Sequence, residues 1–463
     1  MEDFSRRQIL QVLGAAAGSS LVAGAAAAGG PQAPALVLPT PPPRPYAAPP
    51  RPVTCMIIGH GGRGSLYGSF ATRMPDEWKV VGVAEPIDYR REAAVRTHAI
   101  PAERVFTTWE HVFERPKLAD VAVITTQDAL HFAPAMAALD RGYDLLLEKA
   151  IAPSWRECRA LYRKAVQKDA IVAVCHVLRY APYYVQLRHV IESGVIGDVV
   201  SVQHIEPVGD IHMSHSFVRG PWRRKDESTP IILSKSCHDL DVLRWWVGKP
   251  CTRVSAFGSL TKFQAAQAPA GAPAYCLDGC PISATCPYEA ASVYVNKKLF
   301  STHHIVTPDR SDAGILAAIR KGQYGRCVYR CDNDVPDHLV TSLEFEGGAT
   351  AAFSIEGCVT YQGRRTRVMG TKGDIVGDER VMEVSLFEGG RATWDVTKAE
   401  SDLAGHGGGD QRMVRDLVQA VARRDPTLLP TTLQNSMESH LMGFMVEESR
   451  LDGGTSRRVR LDL

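Results

Sequence analysis

The stretch "CMIIGHGGRG" (residues 55–64) joins an apolar run to four glycines and an arginine. The apolar half predicts a buried parallel strand. Gly59, Gly61 and Gly64 have the G-x-G-x-x-G spacing, in which the first glycine permits a tight turn and the second lets backbone approach a pyrophosphate. The third lets the next helix, "SLYGSFATRM" (65–74), pack closely, with its N-terminal amides toward the phosphates. Since short glycine patterns arise by chance, the segments downstream decide its meaning.

A second predicted strand, "WKVVGVAEP" (78–86), ends in Glu85, 21 residues after Gly64. That is close to the spacing of an acid that accepts hydrogen bonds from the ribose hydroxyls of a dinucleotide. The carboxylate repels a 2′-phosphate, so NAD is favoured over NADP, although Arg90 and Arg91 keep NADP open.

Two further strands, "ADVAVITT" (119–126) and one within "YDLLLEKAIAP" (143–153), alternate with helices. This alternation predicts a doubly wound parallel sheet, in which ligands lie beyond the carboxyl ends of the strands. We therefore predict that the cofactor is held by Gly59, Gly61, Gly62, Arg63, Gly64, Glu85, Thr125, Thr126, His131, Glu148 and Lys149.

The composition describes a globular protein too long for one ordinary core. The chain has 463 residues, 45% hydrophobic residues and a formal net charge of +2, so two domains are expected. The sequence shows no basic stripe interleaved with aromatic residues, which is the pattern that would suggest a surface that binds nucleic acid. After the N-terminus no stretch has the roughly 20 apolar residues that a membrane span needs.

The N-terminal segment is distinct from the rest. "SRRQIL" (5–10) precedes a weakly apolar stretch and resembles a twin-arginine export signal, predicted here for residues 1–30; a short anchor helix is the alternative. Such a signal implies the twin-arginine export machinery as partner and a periplasmic or secreted protein. Residues 31–52 predict a proline-rich linker. We place the two domains at 53–172 and 173–463, with a cysteine-containing insertion at about 261–335.

Several segments together resemble one family. They are "GHGGRG", "VAEP", "ADVAVITTQDALHFAPAMAALDRGYDLLLEKAIA", "RYAPYYVQLRHVIESGVIGDVVSV" and "CHDLDVLRWWVG". They resemble the Gfo/Idh/MocA oxidoreductase family, which includes glucose–fructose oxidoreductase and inositol dehydrogenases. The resemblance implies an α/β protein: an N-terminal Rossmann domain with a doubly wound parallel sheet, then a C-terminal α/β domain with an open, mostly antiparallel sheet. It also implies a homo-oligomer built on that second sheet.

The resemblance further implies Lys149 and His238 as catalytic residues. The family's Glu-Lys-Pro motif here is Glu148-Lys149-Ala150, and the aspartate that precedes the family's histidine by four residues is Ser234. A lysine beside the cofactor can help move a hydroxyl proton, and imidazole titrates near neutral pH. A surface lysine and a core or capping histidine are the alternatives.

The segment "PIILSKSCHDLDVLRWW" (230–246) predicts one helix. On it Lys235, His238 and either Asp239 or Asp241 would share a face. The substrate-binding residues are predicted to be His176, Arg179, Tyr180, Lys235 and Asp241.

Three functions remain open from the sequence. The first is an exported oxidoreductase that transfers hydride between a nicotinamide cofactor and a secondary hydroxyl of a sugar or polyol such as a cyclitol. The second is an NAD-dependent glycosidase that acts by transient oxidation and elimination. The third is a non-catalytic sensor that keeps the nucleotide as structure.

Five of the eleven cysteines lie in "CLDGCPISATC" (276–286) and "CVYRC" (327–331). Thiolates brought together can bind zinc or iron tetrahedrally and staple an insertion. Disulfides, in an oxidising compartment, and ordinary buried thiols are the alternatives. If a metal is bound, the ligand set that we predict is Cys276, Cys280, Cys286 and Cys331.

Overall fold

A computed structural model of the chain describes residues 36–299, 306–400 and 404–463. Its first sheet has six parallel strands in the order β3-β2-β1-β4-β5-β6. The strands are β1 (Val53–Ile58), β2 (Trp78–Ala84), β3 (Val105–Phe106), β4 (Val121–Ile124), β5 (Asp144–Leu147) and β6 (Val172–Val174). The helices between them are α1 (Gly62–Arg73), α2 (Asp88–His98), α3 (Trp109–Phe113), α4 (Phe132–Asp140) and α5 (Trp155–Gln167).

The predicted doubly wound sheet is confirmed. Strand β1 lies between β2 and β4, where the strand order reverses. Helices cover both faces of such a sheet, which explains why Cys55, Met56 and Ile57 have no exposed surface. Ligands of these folds bind at this reversal, outside the carboxyl ends of the strands, so the glycines after β1 are placed correctly for that role.

The second sheet has nine strands in the order β14-β13-β12-β11-β7-β10-β9-β8-β15. Among the pairs in the described part of the chain, only β7 with β10 is parallel. The predicted mostly antiparallel sheet is therefore confirmed. The strands are β7 (Val199–Pro207), β8 (Cys251–Ser259), β9 (His338–Phe345), β10 (Thr350–Glu356), β11 (Arg365–Gly370), β12 (Gly373–Gly377), β13 (Val381–Leu386), β14 (Arg391–Asp395) and β15 (Arg457–Arg458).

Helices cover one face of this sheet. Leu187, Leu243 and Met442, from three different helices, share its core with strand residues such as Phe353. The opposite face exposes apolar side chains such as Phe257, and the homo-oligomer expected there stays a prediction. The helices of this half are α6 (Pro182–Glu192), α7 (Ile231–Ser234), α8 (Cys237–Val247), α9 (Asp312–Lys321), α10 (Gly409–Arg423) and α11 (Leu433–Leu451), with short helical segments at Asp210–His212, Val396–Ala399 and Ala404–Gly407.

The chain returns to the first domain near its end. Strand β6 ends at Val174, two residues beyond the predicted boundary. Met413 and Leu417 of α10 lie in the same core as Ile57 of β1. Helix α10 therefore brings residues from late in the sequence close to the glycine loop.

Residues 36–52, within the predicted linker, contain no helix or strand, but they lie against the body of the protein. Pro39 O accepts a hydrogen bond from Gln186 Nε2 at 2.8 Å, and Ala47 O accepts one from Gln419 Nε2 at 2.7 Å. The predicted signal at 1–30 lies outside the described residues. Within those residues, no helix combines the length and the apolar character needed to span a bilayer.

Candidate active site

The glycine loop has the geometry that its spacing predicts. Gly59 adopts a φ of +91°, and a Cβ at Gly64 would lie 2.1 Å from Gly59 O, so only glycine fits at Gly64 without a shift of the backbone. Gly61 precedes α1 without a side-chain cap, and a Cβ at Gly62 would meet nothing within 4 Å. The first amides of α1 have no intrahelical acceptor, which suits a phosphate anion.

Glu85 lies at the end of β2 beside this loop and is only 2% exposed. Its carboxylate accepts hydrogen bonds from His60 N at 2.6 Å and Ile87 N at 3.0 Å. Each oxygen keeps a second lone pair for a ribose hydroxyl. The Arg91 guanidinium is engaged by Glu85 O and Asp88, whereas that of Arg90 lies beside Gly61. These residues fit a dinucleotide.

The side chain of Arg63, which we predicted as a cofactor contact, bonds to other side chains of the protein. Its Nε lies 2.6 Å from Glu148 Oε1, its Nη2 lies 2.5 Å from Asp410 Oδ1, and it also contacts the Tyr67 hydroxyl. Burial opposes the charge of Glu148, but Arg63 and Lys149 hold the pKa of its carboxyl below the usual value. Arg63 therefore ties α1 to the end of β5 and to α10.

The predicted residues after β4 shape the backbone of the cleft. The Thr125 hydroxyl donates to Gly59 O at 2.7 Å, and the Thr126 hydroxyl donates to Leu130 O. The buried His131 ring has Nδ1 2.6 Å from Ala150 O and Nε2 3.1 Å from Thr126 O. Their polar side-chain atoms thus contact backbone carbonyls.

Lys149 reaches across the cleft from the end of β5. Its Nζ donates to Ser234 O at 2.5 Å, and its own amide donates to Glu148 Oε2 at 3.1 Å. The Lys149–Ala150 peptide bond is cis. Ser234 stands where the family has an aspartate, and its main-chain carbonyl accepts the hydrogen bond from Lys149. The Ser234 hydroxyl instead donates to Pro230 O.

The predicted single helix over 230–246 is wrong. The chain forms α7 and α8, with Lys235 and Ser236 between them, because Ser236 N bonds back to Ile231 O at 3.3 Å instead of continuing the α-helical pattern. Lys235 consequently leaves the face of His238, and its Nζ lies 3.4 Å from Glu206 Oε1.

The two aspartates after His238 also point away from it. Asp239 lies 3.0 Å from His204 Nε2 and 2.5 Å from Arg364 Nε. Asp241 lies 2.7 Å from Arg179 Nε and 2.8 Å from His176 Nδ1. A shared face with Lys235 and His238 is therefore not formed.

Of the remaining predicted substrate residues, His176 alone lies beside the candidate catalytic histidine. Its ring centroid is 5.9 Å from that of His238, and its Nε2 has no hydrogen-bond partner among the described residues. Arg179 is held by Asp241, and the buried Tyr180 hydroxyl lies 2.6 Å from Thr431 Oγ1. We interpret Asp241 as the residue that orients the His176 ring, and Arg179 as the residue that holds the Asp241 carboxylate in place.

His238 is only 5% exposed, and its Nδ1 has no hydrogen-bond partner among the described residues. Burial first, and then the charge of Lys149, hold the pKa of His238 well below its usual value. At neutral pH this imidazole is therefore neutral, which lets it accept a hydrogen bond.

Cys237, His176 and His440 bring three potential metal-ligand atoms within 4.8 Å of one another. However, His440 Nε2 accepts the Ile151 amide at 3.0 Å, and its Nδ1 lies 3.0 Å from Ser436 O. His440 therefore has no free lone pair for an ion. Its ring instead holds the backbone amide of Ile151, two residues after Lys149.

Sequence reasoning missed His406 and Asp410. His406 Nδ1 lies 3.0 Å from Asp410 Oδ2, and the His406 ring centroid is 5.8 Å from that of His238. Burial opposes the charge of Asp410, but hydrogen bonding to His406 and the charge of Arg63 lower its pKa to about 2. A buried carboxylate that orients a partly exposed histidine is a general-base arrangement. The available signal was "HGGGD" (406–410), which places the two residues four apart at the start of a helix.

Replacing Tyr67 with phenylalanine tests the buried hydrogen bond to Glu148, the residue that precedes Lys149. The buried Tyr67 hydroxyl donates to Glu148 Oε1 at 2.7 Å, so Tyr67→Phe should lower the free energy of unfolding by about 1–2 kcal/mol, as measured by urea denaturation. Tyr162→Phe, on the outer helix α5, is the control and should change it by less than about 0.5 kcal/mol. Equal effects of the two variants would contradict this role.

Three features define a dinucleotide-dependent oxidoreductase. They are a glycine loop after a central parallel strand, an acid at the end of the next strand, and a lysine that faces histidines across the cleft. The chain belongs to the Gfo/Idh/MocA oxidoreductase family. Residues 53–176 match the model described as "Oxidoreductase family, NAD-binding Rossmann fold", and residues 184–376 match the GFO/IDH/MocA C-terminal domain. The resemblance seen in the sequence is thus confirmed at the level of the family.

Individual relatives are distant. YteT of Bacillus subtilis (strain 168), named as an oxidoreductase, is 26% identical over 64% of this chain and 72% of its own length. The scyllo-inositol 2-dehydrogenase (NAD(+)) of the same strain is 26% identical over 45% of this chain, and the match spans only 58% of that enzyme. An inositol dehydrogenase homolog from Azotobacter vinelandii, complexed with NADH and myo-inositol, has a TM-score of 0.63 at 15% identity, covering 89% of this chain and 99% of that one. This last likeness shows the fold.

Proposed function

We propose that the protein is an NAD-dependent dehydrogenase that oxidises a secondary hydroxyl of a sugar or cyclitol. The observation that carries the proposal is the hydrogen bond from Lys149 Nζ to Ser234 O. It lies at the carboxyl ends of the strands of the first sheet, next to His238. An amine and a neutral imidazole there can hold one hydroxyl oxygen from two sides. The names of the relatives, which include an NAD-dependent inositol dehydrogenase, support this substrate class.

Oxidation of an alcohol removes a hydride from carbon and a proton from oxygen. NAD, when bound, supplies the hydride acceptor. Lys149 Nζ exchanges its bond to Ser234 O for one to the substrate oxygen and orients it, and His238 accepts a hydrogen bond from the hydroxyl. His238 takes the hydroxyl proton on one ring nitrogen and gives up a proton from its other ring nitrogen to the neighbouring His406, whose imidazolium form is stabilised by the Asp410 carboxylate.

The test is a nicotinamide-reduction assay of the purified full chain with NAD and a panel of cyclitols and sugars. We expect the near-ultraviolet absorbance of reduced nicotinamide to rise, with a ketone as the product. Binding of NAD without reduction by any member of the panel would overturn the proposal. Cleavage of a chromogenic glycoside without net reduction would also overturn it, in favour of the glycosidase alternative.

We also propose that the protein is exported by the twin-arginine route, on the support of "SRRQIL" (5–10). The full chain, expressed in a host with that machinery, should be found outside the cytoplasm. The double variant Arg6→Lys, Arg7→Lys should stay inside, because the route requires the arginine pair. The same distribution for both proteins would overturn export.

A further inference from the structure

A second contact joins the two domains close to Lys149. It is made by Asp128, which lies in the turn after β4 and is only 5% exposed. Its Oδ1 accepts a hydrogen bond from Trp222 Nε1 at 3.1 Å, and its Oδ2 lies 3.3 Å from Ser228 Oγ and 3.4 Å from Thr229 Oγ1. The three donors are neutral and belong to the segment of the second domain that leads into α7. One buried carboxylate therefore gathers this segment onto the first domain.

The turn that carries Asp128 is bound to the backbone next to Lys149. The His131 ring, three residues after Asp128, has Nδ1 2.6 Å from Ala150 O and Nε2 3.1 Å from Thr126 O. Ala150 directly follows Lys149 in the chain. The first domain therefore presents the Asp128 carboxylate and the Lys149 ammonium as two groups of one fixed unit.

The two groups bind the same short helix from opposite ends. Thr229 lies two residues before α7, and Ser234, whose carbonyl oxygen accepts from Lys149 Nζ at 2.5 Å, is the last residue of α7. His238 follows Ser234 by four residues, in the first turn of α8. The position of α7 against the first domain therefore determines how Lys149 and His238 face each other.

The cysteine-containing insertion fixes the start of the same segment. The fully buried Arg219 donates from Nε to Arg326 O at 2.7 Å, and its guanidinium lies 6.0 Å from the centroid of the Tyr294 ring. The segment that begins at Arg219 is thus held by the insertion at one end and by Asp128 at the other.

The cysteines that we predicted as metal ligands lie beside this anchor. Three of them line one small cavity together with Arg219, namely Cys276, Cys280 and Cys286. The fourth, Cys331, donates its thiol proton to Cys327 O at 3.3 Å. All eleven cysteines of the chain are free thiols, and none is paired in a disulfide.

We propose that Asp128 is a positioning residue, which keeps Ser234 and His238 opposite Lys149 while the lysine exchanges Ser234 O for the substrate oxygen. A carboxylate accepts hydrogen bonds more strongly than a neutral group does, so this contact persists when the bond from Lys149 to Ser234 is broken. Without it the two domains lose their alignment, and a misplacement of about 1 Å can lower a rate by about 10²-fold. The kinetic part of this inference rests on the proposed dehydrogenase function.

Two variants remove the contact from its two sides. Asp128→Asn takes away the charge and places an amide N–H₂ group where the donors converge. Trp222→Phe keeps an aromatic ring and removes the Nε1 donor. The matched control is Asp140→Asn, an exposed aspartate at the end of α4 in the same domain.

The first measurement is steady-state kinetics of the full chain with a cyclitol or sugar that it oxidises. Asp128→Asn should lower kcat by about 10-fold or more, whereas its affinity for NAD and the kcat of the control should match those of the wild type. The double variant Asp128→Asn, Trp222→Phe should be no slower than Asp128→Asn alone, because both changes act through one contact. A loss of stability alone would not give this pattern.

The second measurement needs no turnover. Hydrogen exchange reports on the amides of residues 234–236, which bond back to Pro230 O and Ile231 O. These amides should exchange at least about 5-fold faster in Asp128→Asn than in the wild type, while those of β1 should not change.

Full kcat in Asp128→Asn, or losses of the single variants that multiply in the double variant, would overturn the positioning role. Unchanged hydrogen exchange at residues 234–236 in Asp128→Asn would overturn it as well. Should Asp128→Asn not fold, Trp222→Phe takes its place in both measurements. A wild type that oxidises no substrate would overturn the proposed function, and hydrogen exchange would still decide whether Asp128 holds α7, so the two proposals fail separately.

Discussion

Replacing Lys149 with alanine is expected to lower kcat by about 10²–10⁴-fold. Lys149 Nζ is the side-chain donor that crosses from the end of β5 to Ser234 O, so no other group of the first domain takes its place at the substrate oxygen. The amides of the glycine loop are untouched, so the affinity for NAD should change far less than kcat does. Steady-state kinetics with an accepted cyclitol or sugar measure kcat, and titration of the free protein with NAD measures the affinity.

The matched control for this prediction is Lys117→Ala. That lysine donates to Gly142 O at the surface of the same domain, and its removal should leave kcat unchanged. Thermal unfolding of each variant separates loss of chemistry from loss of fold. Full turnover by Lys149→Ala would show that the lysine does not contact the substrate.

The first domain was predictable because its signals are local. A buried apolar strand, a turn that needs glycine at Gly59, and an acid at the end of the next strand each follow from a few adjacent residues. Lys149 was found for the same reason, since it directly follows a buried strand at the sheet edge where ligands bind. The alternation of the later strands likewise predicted a sheet with one covered face.

The rest of the site depends on contacts between distant residues. We predicted Arg63 as a cofactor contact, but its guanidinium pairs with Asp410, which lies 347 residues further along the chain. The break between α7 and α8 follows from Ser236 N turning back to Ile231 O, which side-chain spacing does not encode. His406 lies in the site because the neighbouring helix α10 packs on the first sheet. Its role could therefore not be predicted without the tertiary structure.

Asp410→Asn is expected to lower kcat by at least about 10-fold and His406→Gln by about 10²-fold, because general-base catalysis contributes gains of this order. The amide at 410 no longer stabilises the His406 imidazolium, while glutamine at 406 removes the proton acceptor itself. Steady-state kinetics measure both losses. His111→Gln, an exposed histidine of the first domain, is the control and should retain full activity.

The stability of Asp410→Asn should also depend on pH in a definite direction. The pKa of Asp410 is lowered to about 2 in the folded protein, against about 3.9 for an aspartate in an unfolded chain. The carboxylate therefore contributes about 2–3 kcal/mol above roughly pH 5, and this contribution is lost progressively as pH falls from there to about 1. Urea denaturation of wild type and Asp410→Asn across this range should show a difference that is constant near neutral pH and shrinks in acid. A difference independent of pH would mean that the carboxylate charge does not hold Arg63 and His406 in place, and the proposed proton acceptor would lose its physical basis.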